Sequence, residues 1–122
     1  LDLSNGKLDQ VDGLPDLAGV TGLDLSRNEL TAVPHWVTDL PSLVQLNLSY
    51  NRLAELPDSI GNLVHLVTLD LSHNQLSELP ATIANLSALT RLQLDDNAFT
   101  KIPDHLPDGI RIFDLNEGRS AW

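Results

Sequence analysis

The sequence predicts an α/β solenoid, with a parallel sheet of about six short strands on one face and short helical or 3-10 turns on the other. Three observations predict it. Proline recurs at Pro34, Pro57, Pro80 and Pro103, and asparagine at Asn28, Asn51, Asn74 and Asn97, each series stepping by 23 residues. Around each asparagine the chain reads LDLSRNEL, LNLSYNRL, LDLSHNQL and LQLDDNAF. Leucine supplies 26 of the 122 residues, while the aromatics are confined to Trp36, Tyr50, Phe99, Phe113 and Trp122. A core built almost wholly of leucine indicates one packing solution used repeatedly.

The strand segments begin at Leu1, Leu23, Leu46, Leu69, Leu92 and Phe113, the first reading LDLSNGKL and the last the degenerate FDLNEG. In L-x-L the period is two, so the leucines point inward and the residues between them point out. These starts divide the chain into repeats 1–22, 23–45, 46–68, 69–91 and 92–112 and a partial repeat 113–122, all in one domain. The return segments, such as PDSIGNLVHL and PATIANLSAL, carry Ile60, Leu63 and Leu66, then Ile83, Leu86 and Leu89, at every third position. They are expected to run back as short helical or 3-10 turns over the same core.

Asparagine is expected to form a structural ladder. Where the chain turns inward after each strand, buried backbone N–H and C=O groups need partners, and an amide supplies both kinds. Proline fixes φ where each return segment starts. The pattern departs at both ends: Gly6 and Gly118 replace the asparagine, and Asp12 replaces the proline. The fifth repeat, IPDHLPDGIRIF, inserts Pro107 and is read as reaching Phe113 in 21 residues. Neither end supplies an obvious polar cap, so the chain is expected to be a fragment of a longer protein.

The pattern L-x-x-L-x-L-x-x-N-x-L, held in four near-perfect copies, resembles that of the leucine-rich-repeat proteins over roughly residues 1 to 118. The repeats are similar to the 23-residue intracellular and bacterial type, including Ras-group scaffolds, and the short I-P-D-H-L-P segment resembles the L-P-x-x-L-P repeats of bacterial effectors. The resemblance implies a right-handed horseshoe with the sheet on its concave face. It also implies a cytoplasmic, non-catalytic recognition or scaffolding module, a bacterial effector delivered to a host cell included.

Composition narrows the partners. Seventeen acids against seven Lys and Arg give a formal charge of −10, so phosphate backbones and anionic lipid surfaces are disfavoured. The expected partner is a protein with a basic or polar face; no nucleic acid, membrane, small-molecule substrate or cofactor is expected. The absence of cysteine excludes a disulfide framework and thiol chemistry within this segment.

The outward columns define the candidate surface. One column reads Asp2, Asp24, Asn47, Asp70, Gln93 and Asp114; the next reads Ser4, Ser26, Ser49, Ser72, Asp95 and Asn116. Both are nearly constant between repeats and suit a solvated strand. The third reads Asn5, Arg27, Tyr50, His73, Asp96 and Glu117 and changes at every step, which a purely structural role does not require. Before each strand leucine stand Gly22, Gln45, Thr68, Arg91 and Ile112. The expected partner-binding patch is Arg27, Tyr50, His73 and Arg91, with Gln45, Asn47, Asp70, Asp95 and Asp96 around it, since Tyr and Arg most often anchor interfaces. Trp36, where later repeats have Ser59 and Thr82, is either a convex contact or a lid folded over its neighbours.

Catalysis is not expected. Ser72 and His73 are adjacent, and no glycine-rich turn supplies an oxyanion hole. Asp70, His73, Asp96 and Glu117 could align as metal ligands, but such acid ladders are usually just solvated, so no metal is expected. The sequons Asn47-Leu48-Ser49 and Asn85-Leu86-Ser87 matter only if the protein is secreted. Two rival functions remain: the substrate-recognition domain of a bacterial effector ubiquitin ligase, or an extracellular ligand-binding or adhesion module.

Overall fold

The structure, a computed structural model, describes residues 1–6, 17–100, 103–107 and 109–113, with backbone alone for 111–113. Five parallel strands follow one another across a single sheet: β1 (Gly22–Asp24), β2 (Gln45–Asn47), β3 (Thr68–Asp70), β4 (Arg91–Gln93) and β5 (Arg111–Phe113). The first expected strand is reduced to one bridge, Asp2 to Asp24, so among the described residues the sheet has five strands and a bridge where about six strands were expected.

The leucines hold the register. Leu23 pairs with Leu46, Leu46 with Leu69, and Leu69 with Leu92. At the last step the expectation fails by one residue: Leu92 pairs with Ile112, and Phe113 lies opposite Gln93. Arg111, not Ile112, therefore follows Arg91 in its column. The second proline of that repeat, Pro107, shortens the return, and the chain reaches the β4 edge one residue sooner. Asp114, Asn116, Glu117, Gly118 and Trp122 lie outside the described residues, as do Asp12 and the partial repeat beyond 113.

The return segments follow their three-residue spacing. A four-residue α-helix, α1 (His35–Thr38), and two 3-10 turns, Asp58–Asn62 and Ala81–Asn85, each begin after a proline in extended conformation. Pro57 O accepts from Ile60 N, Ile60 O from Leu63 N, and Leu63 O from Leu66 N, at 3.0–3.2 Å; Pro80, Ile83, Leu86 and Leu89 repeat the series. A 3-10 helix has three residues per turn, so every third side chain points the same way. Ile60, Leu63, Leu66, Ile83, Leu86 and Leu89 are accordingly buried, in one core with the strand leucines. Trp36 is half-buried and packs against that core, as a lid.

Close approach of the two 3-10 turns requires Gly61. A Cβ there would lie 2.8 Å from both Cβ and O of Thr82, whose Oγ1 donates to Asp58 O at 2.8 Å. The backbone oxygen cannot rotate away. Gly61→Ala is expected to cost about 1–3 kcal/mol in urea unfolding through overpacking, and an unchanged midpoint would show that the turns can separate freely.

The asparagine ladder is present. Asn51 Nδ2 donates to Leu25 O of the preceding repeat at 3.1 Å and to Leu48 O of its own at 3.0 Å, while its Oδ1 accepts from Asn28 N and Leu30 N. Asn74 and Asn97 donate in the same way one and two repeats on, and their Oδ1 atoms accept from Leu53 N and Leu76 N respectively. Asn28 donates to Leu3 O and Leu25 O, but its buried Oδ1 has no partner among the described residues. The preceding repeat carries Gly6 at this position, and the regular pattern starts one rung later.

Candidate functional site on the concave face

The two nearly constant columns form a local motif. Oδ1 of Asp24 accepts from Ser26 N and Oγ at 2.9 and 2.7 Å; Asn47 serves Ser49, and Asp70 serves Ser72, in the same way. This closes an Asx-type turn at each strand end. Ser4, Ser26, Ser49 and Ser72 are all buried, so the serine column is not part of the outer surface as expected. Asn47 and Asp70 are half-buried and line a shallow open trough with Gln45, Thr68 and Gln93. In the fourth of these repeats both partners change, to Gln93 and Asp95.

The variable third column becomes a continuous stack. The Arg27 guanidinium carbon lies 4.0 Å from the centre of the Tyr50 ring. Tyr50 and His73 stack at 4.0 Å between centroids, with an 11° interplanar angle. His73 Nε2 then meets Asp96 Oδ2 at 3.1 Å and Asp95 Oδ2 at 3.7 Å. Parallel strands about 4.8 Å apart bring equivalent side chains to stacking distance.

Backbone conformation gives the column its common direction. Asn5, Arg27, Tyr50, His73 and Asp96 all have positive φ, between 55° and 59°. Their N–H groups continue the ladder, Asn5 N to Ser26 O, Arg27 N to Ser49 O, Tyr50 N to Ser72 O and His73 N to Asp95 O. The left-handed region costs a non-glycine residue about 1–2 kcal/mol. An exposed cation–π contact returns about 0.5–1 kcal/mol and a ring stack about 0.5–1.5 kcal/mol. These terms roughly offset each other, so the stack orients its side chains without adding net stability. Tyr50→Asn suits this φ, as Asn5 does, whereas Tyr50→Val adds a β-branch to it. Val is expected to be less stable than Asn by about 1 kcal/mol in denaturant titrations, and the reverse order would refute strain at this position.

The expected patch divides in two. Arg27, Tyr50, His73, Asp95 and Asp96 come together at the C-terminal ends of the strands. Arg91 opens β4, beside Thr68, and so stands at the opposite end of the strand from Asp95 and Asp96. The columns were legible, but not the shared φ that turns the third one sideways; its signal was the Asn5-Gly6 pair, both types at home in that region.

A hydrolytic triad is not assembled. Ser72 is buried and its Oγ donates to Asp70 at 2.7 Å, not to His73. His73, Asp95 and Asp96 do place one ligand atom each within 4.8 Å of one another, whereas Asp70 Oδ1 is engaged by Ser72. Among the described residues no helix is long and apolar enough to cross a membrane.

Comparison with known proteins agrees with this architecture. A family model for a leucine-rich repeat region matches residues 20–114. A solved leucine-rich-repeat protein of Leptospira interrogans is 42% identical over 66% of this chain, with a TM-score of 0.64. The aligned part is 21% of that protein, so this chain corresponds to about a fifth of its length. The solved Toll–Spatzle complex of Drosophila aligns over 67% of this chain and 14% of its own, at 22% identity and a TM-score of 0.49. No curated protein sequence matches.

Proposed function

This chain belongs to the leucine-rich-repeat family, and from that premise we propose that it is a non-catalytic module that binds a partner protein on its concave face, centred on the Arg27–Tyr50–His73–Asp96 stack. The observation that carries this reading is Tyr50 itself, a large aromatic left 43% exposed in a left-handed backbone conformation. A fold under no other demand would place Asn there. The ring is held between a guanidinium and an imidazole, so little rotamer freedom remains to be lost on docking. Tyr and Arg beside each other, bordered by carboxylates, suit a polar or basic protein surface. Arg91 and Gln45, at the other end of the strands, would form the second margin of such an interface.

The similarity to a bacterial protein, and the fifth repeat shortened to a Leu92–Ile112 step, favour a bacterial setting. The recognition part of an effector ubiquitin ligase is therefore the second reading, its catalytic cysteine supplied by sequence outside these 122 residues.

The test is a quantitative pull-down with the chain immobilised, in native form and as Tyr50→Asn/Arg27→Glu, with His65→Ala on the convex side as control. A protein held by the native and control forms and bound at least about tenfold more weakly by the double variant supports the concave stack. Equal retention by all three forms would place binding elsewhere, with Trp36 and the convex side next in turn.

A further inference from the structure

We propose that His73, Asp95 and Asp96 form a site for a first-row divalent transition-metal ion, zinc foremost, at the concave ends of β3 and β4. The inference does not depend on protein binding.

Distances are the first support. Zinc ligands about 2.0–2.1 Å from the ion lie about 2.9 Å apart at right angles and about 3.3 Å apart at the tetrahedral angle. His73 Nε2 is 3.1 Å from Asp96 Oδ2 and 3.7 Å from Asp95 Oδ2. Both gaps are close to the edges of such a polyhedron, and all three ligand atoms lie within 4.8 Å of one another, so side-chain rotation of the carboxylates can close them on one ion. The imidazole already presents Nε2 to both carboxylates while its ring lies stacked on Tyr50.

Repeat geometry is the second. Ser4, Ser26, Ser49 and Ser72 occupy the column of Asp95, each closing its turn against an Asp or Asn two residues earlier. In the repeat that faces His73, Gln93 and Asp95 replace both members of that motif. Serine fits the same backbone in four other repeats, so the turn itself does not require the exchange. A carboxylate there sets a second oxygen beside the Nε2 of the neighbouring rung. Two adjacent acids repel each other, and a divalent cation between them removes that cost.

The donor set selects the ion. One imidazole nitrogen with two carboxylate oxygens suits Zn²⁺ and its first-row neighbours better than Mg²⁺ or Ca²⁺, which prefer all-oxygen shells. Three protein ligands leave a position open to solvent, since Asp96 is exposed. The acidic trough of Asp2, Asp24 and Asp70 along the same face draws cations toward it.

The experiment is calorimetric titration of the chain with zinc chloride, with magnesium chloride as comparison and the imidazole ¹⁵N signals of His73 followed by NMR. Saturable one-to-one zinc binding is expected, with the Nε2 signal of His73 shifted and with no comparable response to magnesium. Asp95→Ser restores the residue of the other repeats, and its urea midpoint checks that it folds; His73→Gln is the second variant. Each is expected to weaken zinc binding at least about tenfold, while His65→Gln leaves it unchanged. Absence of saturable binding by the native chain would overturn the proposal. So would equal binding by both variants, which would place the zinc on other histidines.

Discussion

Asn74→Ala is expected to lower the unfolding free energy by about 2–4 kcal/mol, and Asn28→Ala by about 1–2 kcal/mol less than that. The difference lies in which backbone groups lose every partner. Asn74 Nδ2 donates to Leu48 O, Leu71 O and Ser72 O. When it is removed, Leu48 O keeps Asn51, Leu71 O keeps Asn97, and Ser72 O keeps Tyr50 N. Leu53 N is not rescued. Its bond is to Asn74 Oδ1 at 3.0 Å, and Leu53 is completely buried. A buried N–H left unpaired costs about 1–3 kcal/mol, and the remaining lost bonds add about 1 kcal/mol. Among the described residues nothing donates to Asn28 Oδ1, so its loss orphans no comparable donor there. Guanidinium unfolding followed by circular dichroism measures both variants. Equal destabilisation would mean that the acceptor half of the amide contributes nothing to the ladder.

Leu71→Ala is the other large effect, at about 2–5 kcal/mol. The side chain is 0% exposed and stands between Leu48 and Leu94 of the adjoining repeats, which are equally buried. Truncation leaves a cavity that two neighbouring layers line and neither can fill alone. In a solenoid each repeat is stabilised chiefly by the interfaces with its neighbours, so a central cavity weakens two interfaces at once. Val64→Ala, at a position 48% exposed, removes no packed layer and is expected to cost less than about 0.5 kcal/mol. A broader or split transition for Leu71→Ala, with hydrogen exchange faster on both flanks, would show the two halves uncoupling. Equal losses for the two substitutions would argue against stabilisation by the packed layers between repeats.

Much of the fold was legible because the repeat states it four times. Leucine at Leu23, Leu46, Leu69 and Leu92 carries the strand register, and apolar residues at every third position from Ile60 and Ile83 carry the 3-10 returns. The candidate surface was legible as columns, since alternation in a strand separates inward from outward residues. Alternation could not show that the serine column turns under. Ser49 and Ser72 sit in the core side of an Asx turn because the carboxylate or amide two residues earlier captures both their N–H and their hydroxyl. Nor could spacing show that Phe113 is one residue out of register. Pro107 was visible, but the length of chain its turn consumes depends on how the return segment packs.

Periodicity is a property of the chain, and a solenoid turns it directly into architecture: each repeat meets a near copy of itself, so local pattern and tertiary neighbour coincide. The leucine core, the proline-started turns and the asparagine ladder follow from that coincidence. The functional geometry does not, because it depends on residues that differ between repeats. Arg27, Tyr50, His73, Asp95 and Asp96 meet only because parallel pairing stacks one strand end on the next and a shared left-handed φ swings the third column sideways. The 23-residue period placed these side chains in one column but could not show that they would touch. Tertiary pairing alone made one column a stack and left Arg91 at the far end of the strands.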